Sequence, residues 1–232
     1  MAKLILIRHG ESRWNLANKF TGQVDVPLSE HGIIEAEATA VQLKNTPIDL
    51  AFTSRLTRAQ ETLLIILSEQ QKTGIFLHNH GKMKKWSHHK KDLDDDEILI
   101  YHSEDLNERY YGDLQGMNKD RAREDFGEKQ VQLWRRGYSD KPPHAESLKD
   151  VFKRSTKYYK KKILPELQAG KNVIVAAHGN SLRSLIKYIE NISDEDIPNL
   201  ELQTGKAIIY EYDNGNYNKE NNEKHSFNRP MK

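Results

Sequence analysis

Two histidines, two arginines and a glutamate in this chain stand where chemistry could be done. Arg8 and His9 follow the apolar run Leu4 to Ile7, His178 and Gly179 follow a second apolar run, Asn172 to Ala177, Arg58 opens an apolar helix, and Glu108 lies in a stretch poor in apolar residues. A guanidinium is a fixed, forked donor suited to phosphate oxygens, and a neutral imidazole beside it could attack the phosphorus it holds. Arg8, His9, Arg58 and His178, with a helix N-terminus at Asn180, together match the needs of phosphoryl transfer to histidine. One imidazole attacks in line, while two guanidiniums, the second imidazole and backbone donors neutralise the equatorial oxygens. Glu108 is the candidate for moving the proton of the oxygen that leaves or attacks. With cations supplied by side chains, this chemistry requires no metal.

The elements that must position these groups are those of an α/β protein. Leu4 to Ile7 has no polar interruption and reads as a strand buried on both faces of a mostly parallel sheet. It delivers Arg8 and His9 to the carboxyl edge of that sheet, where open α/β sheets bind ligands, and Gly10 lets the backbone turn there. Ser29 is a helix start, with Ile33, Ile34, Ala36, Val41 and Leu43 as the apolar series that follows. Leu50 to Ser54 is a strand leading into a helix with Arg58 in its first turn and Leu63, Leu64, Ile66 and Leu67 facing the sheet. A polar helix is expected from Asn118 to Arg136, a capped helix from Ser147 to Pro165, a helix from Asn180, a short one after Ser193 and a last strand from Ala207 to Tyr212. The fold class is therefore a three-layer α/β/α arrangement with a mostly parallel central sheet. Residues 1–212 form a single domain with a charged peripheral insertion at about 72–105, and residues 213–232 form a polar tail whose composition predicts disorder.

Composition narrows the function classes. The 232 residues carry 36 basic and 34 acidic side chains, which gives no global basic field for nucleic acid. Cysteine is absent, excluding thiolate metal sites and cysteine nucleophiles. No apolar run is long enough to span a bilayer, so a cytoplasmic location is expected. His78 and His80 come just before, and His88 and His89 within, the lysine-rich stretch from Lys82 to Lys91, ahead of the acidic run Asp92 to Glu97 and without the spacing of a zinc motif. This segment reads as a solvated, exposed hairpin or loop, with Ile98 to Tyr101 returning the chain to the sheet.

The stretches LIRHGESRWN, FTG, LSEHG, TSRLTRAQET, LNERYYGDLQGMNK, WRRGY, ESLKD and AAHGNSLRSLIKYIE, with the later TGKAIIYEY, resemble the 2,3-bisphosphoglycerate-dependent phosphoglycerate mutases of the histidine phosphatase superfamily, in family order from Lys3 to about Tyr212. The resemblance implies that His9 is the phosphorylated nucleophile, with Arg8, Arg58, His178 and Asn15 around its phosphoryl group and Glu108 as acid and base. It further implies that Tyr111, Lys119, Arg135 and Arg136 hold the carboxylate and far phosphate of the glycerate, with Thr21, Gly22, Gly179 and Asn180 around the pocket. The implied activity interconverts 3-phosphoglycerate and 2-phosphoglycerate, primed by 2,3-bisphosphoglycerate, without a metal. The implied partners are small phosphorylated glycerates, with no nucleic acid and no membrane, in a homodimer or homotetramer. A phosphatase of the same superfamily, in which water takes the phosphoryl group, is the alternative. The sequence departs from the family in its long charged segment at 72–105, in a short stretch from Tyr138 to Ser147, in Tyr110 where many relatives have histidine, and in its tail.

Overall fold

A computed structural model describes residues 1–78, 81–87 and 93–220. Seven strands form one sheet in the order β3-β4-β2-β5-β1-β6-β7. They are β1 (Ala2–Arg8), β2 (Leu50–Thr53), β3 (Thr73–Leu77), β4 (Glu97–His102), β5 (Val173–Ala177), β6 (Ala207–Asp213) and β7 (Asn216–Lys219). The first five in spatial order run parallel, while β6 is antiparallel to β1 and β7 to β6. The helices are α1 (Arg13–Leu16), α2 (Glu30–Leu43), α3 (Thr57–Glu69), α4 (Gly81–Ser87), α5 (Lys119–Phe126), α6 (Glu128–Arg136), α7 (Leu148–Tyr158), α8 (Leu164–Gln168) and α9 (Gly179–Ile189).

Alternation along the central strands separates two cores. Leu4, Leu6, Phe52, Val173 and Val175 pack with Tyr159, Ile163, Leu182 and Leu185 on the side of α7 and α9. Ile5, Ile7, Ala51, Ile174 and Ala176 pack with Leu43, Leu63, Ile66 and Leu67 on the side of α2 and α3. Three layers result because a strand buried on both faces must be covered on both. A third, smaller cluster of Phe20, Leu114, Ala122 and Val131 lies under α5 and α6.

Several expectations are corrected. In α2 the buried positions are Gly32, Ala36, Thr39, Ala40 and Leu43, whereas Ile33, Ile34 and Val41 face solvent. A Cβ at Gly32 would lie 2.0 Å from the Glu11 carbonyl oxygen, so small residues let the helix approach the β1 loop and set the stripe. Leu64 of α3 is likewise exposed, although Leu63, Ile66 and Leu67 face the sheet. The helix expected from Asn118 to Arg136 is broken at Gly127, whose φ of 83° takes the chain out of the helical region. The helix from Ser147 stays helical to Gln168: it passes through a π-helical turn, Tyr159–Ile163, and Pro165, expected to kink or end it, stands in the first turn of α8 without ending the run. After Ser193 the chain forms only a 3₁₀ turn, Ile197–Asn199.

The segment at 72–105 is not a hairpin or loop outside the sheet. β3 and β4 pair in parallel, and β4 pairs with β2, so most of its apolar residues belong to the sheet's edge, with the exposed α4 between them. His80, His88 and His89 lie outside the described residues. The stretch from residue 213 completes β6 and forms β7, anchored by a Tyr159 to Tyr217 hydroxyl contact of 2.6 Å. The remainder of the expected tail, residues 221–232, lies outside the described residues.

Candidate active site

β1 and β5 are adjacent, with Arg8 opposite Ala177, so both His-Gly pairs emerge side by side at one sheet edge. The backbone N–H of His9 donates to the Ala177 carbonyl at 3.0 Å, and the His9 and His178 rings meet edge to face with centroids 4.9 Å apart. A Cβ at Gly10 would lie 2.2 Å from the Gly32 carbonyl oxygen, so glycine there is what allows the loop to fold over the start of α2.

His9 is 3% exposed. Its Nδ1 lies 2.6 Å from the Gly10 carbonyl oxygen, which can only accept, so Nδ1 carries the proton. Nε2 is left with its lone pair, and Arg58 Nε–H donates to it at 3.3 Å. Burial first, then the Arg58 and Arg8 charges, hold the His9 pKa well below the ordinary histidine value. The imidazole is therefore neutral, with a nucleophilic nitrogen already beside a cation. His178 is also held neutral, by burial and then by Arg58. Its Nε2 contacts the Ser54 hydroxyl at 2.8 Å, and its Nδ1 is buried without a partner.

Arg58 stands in the first turn of α3, as expected, and its other two nitrogens donate to the carbonyls of Gly22 at 2.8 Å and Val24 at 3.0 Å. Asp25 fixes the same loop by accepting from the Thr57 N–H at 2.7 Å and its hydroxyl at 2.9 Å. Burial lowers the Arg58 pKa to about 10, which leaves it charged. Arg8 Nη1 donates to the Leu202 carbonyl at 2.6 Å, while its Nε is buried without a partner.

Glu108 follows a short 3₁₀ turn, Glu104–Leu106, on the loop after β4. Its Oε1 accepts from the backbone N–H of Arg109 at 2.7 Å, from the backbone N–H of Asn180 at 3.2 Å and from the Asn180 side-chain amide at 2.8 Å. Oε2 accepts no hydrogen bond from the described residues and lies on the Gly179 and Arg8 side. The carboxylate thus sits on the N-terminus of α9, one oxygen fixed and the other available.

A cavity of about 550 Å³ is lined by Arg8, His9, Asn15, Thr21, Gly22, Arg58, Glu108, Tyr111, Lys119, Arg135, Arg136, Gly179 and Asn180. Every residue singled out from the sequence is therefore brought to one place, with His178 packed against His9 just below. Asn15 Oδ1 is taken by the Ser12 N–H in the cap of α1. Lys119 opens α5, and burial followed by the Arg135 and Arg8 charges lowers its pKa to about 8. Burial also lowers the Arg135 pKa. Arg136 is ion-paired with the exposed Glu201.

Sequence reasoning missed the loop from Glu201 to Lys206, which lines the cavity and meets α6 through the Glu201 to Arg136 ion pair, together with the buried Arg183 and the half-buried Glu35. Glu35 Oε2 accepts from the Glu11 N–H at 2.7 Å and its Oε1 from the Thr204 hydroxyl at 2.7 Å, tying α2 to that loop. Arg183 had no signal beyond its place one turn after Asn180, between Leu182 and Leu185. Among the described residues, no group of three or more His, Asp or Glu is placed to hold a metal ion. No described helix is long and apolar enough to cross a membrane.

Residues 4–80 and 91–223 match the model of the histidine phosphatase superfamily, branch 1. The unmatched residues, 81–90, are a narrower departure than the 72–105 expected, and the match extends past Tyr212. A protein of Methanosarcina acetivorans is 45% identical over 240 residues, covering 96% of each chain. One of Gloeothece citriformis is 49% identical over 221 residues, covering 92% of this chain and 95% of the other. Both bear the name 2,3-bisphosphoglycerate-dependent phosphoglycerate mutase. Among solved structures, Bacillus stearothermophilus YhfR superposes with a TM-score of 0.74 at 23% identity, covering 94% of this chain and 95% of the other. The alpha-ribazole phosphatase of Shigella flexneri superposes with a TM-score of 0.72 at 21% identity, covering 94% of each chain. At such identities the structural likeness bears on the fold.

Proposed function

The chain belongs to the histidine phosphatase superfamily, and on that premise we propose that it interconverts 3-phosphoglycerate and 2-phosphoglycerate through a phosphohistidine at His9. The observation that carries the reading is the cavity itself: one neutral nucleophilic nitrogen at its floor, and a wall of Lys119, Arg135 and Arg136 standing across from it. A group transferred to His9 needs only the floor. A carboxylate and a second phosphate held above it need the wall.

The residues also fit 2,3-bisphosphoglycerate, on which the relatives depend by name. Arg8 Nε, Thr21 Oγ1 and His178 Nδ1 are buried polar atoms without partners, and a multiply charged anion would satisfy such donors. Arg8, Arg58 and His178 would hold one phosphate and Lys119, Arg135 and Arg136 the other; when bound, the molecule supplies the phosphoryl group that charges His9.

His9 Nε2 attacks phosphorus in line with the departing oxygen. Arg8, Arg58, the Asn15 amide and the Nδ1 side of His178 take up charge on the equatorial oxygens. For this, the Arg58 nitrogen now facing His9 turns its bond to the transferred group. Glu108 Oε2 gives a proton to the glycerate oxygen that leaves and takes it from the hydroxyl that later attacks. Tyr111, Lys119, Arg135 and Arg136 hold the glycerate while it turns between the two transfers, and Thr21, Gly22, Gly179 and Asn180 shape the space in which it does so. Side chains provide all the positive charge in this scheme, and the cytoplasm is its setting.

The test is conversion of 3-phosphoglycerate to 2-phosphoglycerate in excess chelator, with and without added 2,3-bisphosphoglycerate. Chelator-resistant turnover that the bisphosphate stimulates is expected. Release of inorganic phosphate without isomerisation would replace the mutase reading with the phosphatase.

A further inference from the structure

Arg183 lies in α9 one turn beyond Asn180, is 4% exposed, and has no part in the scheme above. Its Nη1 donates to Asn180 Oδ1 at 3.1 Å, and its Nη2 donates to the carbonyl oxygens of Arg136 at 3.0 Å and Ile197 at 2.7 Å. All three acceptors are neutral. A guanidinium buried to this degree is costly, and holding neutral acceptors offsets only part of that cost.

The bond to Asn180 decides which way an amide faces. A side-chain amide can present its oxygen or its NH₂ to a neighbour, and a guanidinium offers only donors. Asn180 must therefore turn Oδ1 towards Arg183. Its NH₂ then points to Glu108 Oε1 at 2.8 Å and the Tyr111 hydroxyl at 3.3 Å. Were the amide reversed, two oxygens would face each other and the Glu108 carboxylate would rotate away. The second bond ends on the last residue of α6, which carries Arg135 and Arg136.

We propose that Arg183 is a positioning residue for proton transfer: it sets the orientation of the Asn180 amide, which fixes Glu108 Oε1 and leaves Oε2 facing the reacting oxygen, while tying the end of α6 to the same anchor. The proposal rests on the reading of Glu108 as acid and base.

Phosphoramidate separates attack from proton transfer. Its nitrogen is already protonated, so when His9 Nε2 bonds to phosphorus and the P–N bond breaks, ammonia leaves with the bonding pair and Glu108 gives no proton. In Arg183→Met, kcat for conversion of 3-phosphoglycerate should fall about 10²-fold, the scale of a small misplacement of a reacting group. Labelling of His9 by phosphoramidate should keep its wild-type rate. In an enzyme already carrying Glu108→Gln, adding Arg183→Met should cause no further fall in kcat, because the two act through one carboxylate. Arg183→Lys retains the buried charge without the fork; it should resemble Arg183→Met in kcat, and it carries the same comparisons if the methionine variant does not fold. Equal losses in isomerisation and labelling, additive losses with Glu108→Gln, or full activity in Arg183→Lys would each overturn the proposal. A wild-type enzyme that labels His9 but does not isomerise would instead overturn the mutase reading beneath it.

Discussion

The floor and the wall of the cavity are built differently. His9 and His178 hang from β1 and β5, whose residues from Leu4 to Ile7 and Val173 to Ala177 are essentially inaccessible and lie between two large cores. Lys119, Arg135 and Arg136 ride on α5 and α6, which rest on a cluster centred on Phe20, Leu114, Ala122 and Val131. This wall is joined to the rest of the site by buried guanidiniums that bind the carbonyls ending α6: Arg109 holds that of Arg135 at 3.2 Å and Arg183 that of Arg136 at 3.0 Å. Apolar packing makes the attack geometry stiff. Under the proposed mechanism, polar ties beside a small core would let the wall adjust while the glycerate turns.

The largest effect should come from the floor. His9→Ala removes the nucleophile and should lower isomerisation by at least about 10⁴-fold, as expected when a covalent catalyst is lost. Substrate affinity should survive, which titration calorimetry with 3-phosphoglycerate would check. Activity retained in this variant would break the distinction at its root.

Breaking the wall should act on retention. Arg135→Ala removes one charged partner of the anion and should raise KM about tenfold or more, with a higher ratio of phosphate released to glycerate isomerised. An unchanged ratio would deny the wall its part. Val131→Ala should cost about 2 kcal/mol of stability, read by denaturant unfolding, and raise KM while His9 labelling is preserved. Leu6→Ala, in the large core, should cost about 2–5 kcal/mol without that selective rise in KM.

Two smaller effects depend on pH. Lys119, with its pKa lowered to about 8, loses charge as pH rises through that value, so KM for 3-phosphoglycerate should climb above pH 8 and Lys119→Arg should flatten the climb. His9 and His178 are neutral in the fold, held by burial well below the ordinary histidine value of 6.5. The unfolded chain therefore takes up protons first as pH falls through 6.5, and stability should decline below that pH. Melting curves of the wild type beside His178→Asn should show a shallower decline in the variant.

The floor was legible in the sequence and the wall only in part, for the same physical reason. The apolar run Leu4 to Ile7 reads as a buried strand, and Arg8-His9-Gly10 at its end gains chemical meaning only beside the second strand ending in His178-Gly179, while Ser29 and Ser147 announce their helices by capping. The break at Gly127 was hidden because Phe126, Val131 and Trp134 read as one face of a single polar helix running through the glycine. β7 was hidden for a related reason: an edge strand of sequence NYNK buries little except Tyr217 and looks like tail. In α2 the apolar periodicity misled, since the face that packs is marked by Gly32, Ala36 and Ala40 and not by the larger Ile33, Ile34 and Val41. Arg183 shows the limit of reading types alone: an arginine in a helix looks like solvent-facing charge until its three carbonyl acceptors are seen.

One partition experiment asks directly whether the wall keeps the glycerate while His9 holds its phosphoryl group. Enzyme charged at His9 with radiolabelled phosphoryl is mixed with excess 3-phosphoglycerate in chelator, and the label is divided between phosphorylated glycerates and inorganic phosphate. The account predicts that most of the label enters the glycerates in the wild type and shifts towards phosphate in Arg135→Ala. Label lost to water in both enzymes alike would contradict it.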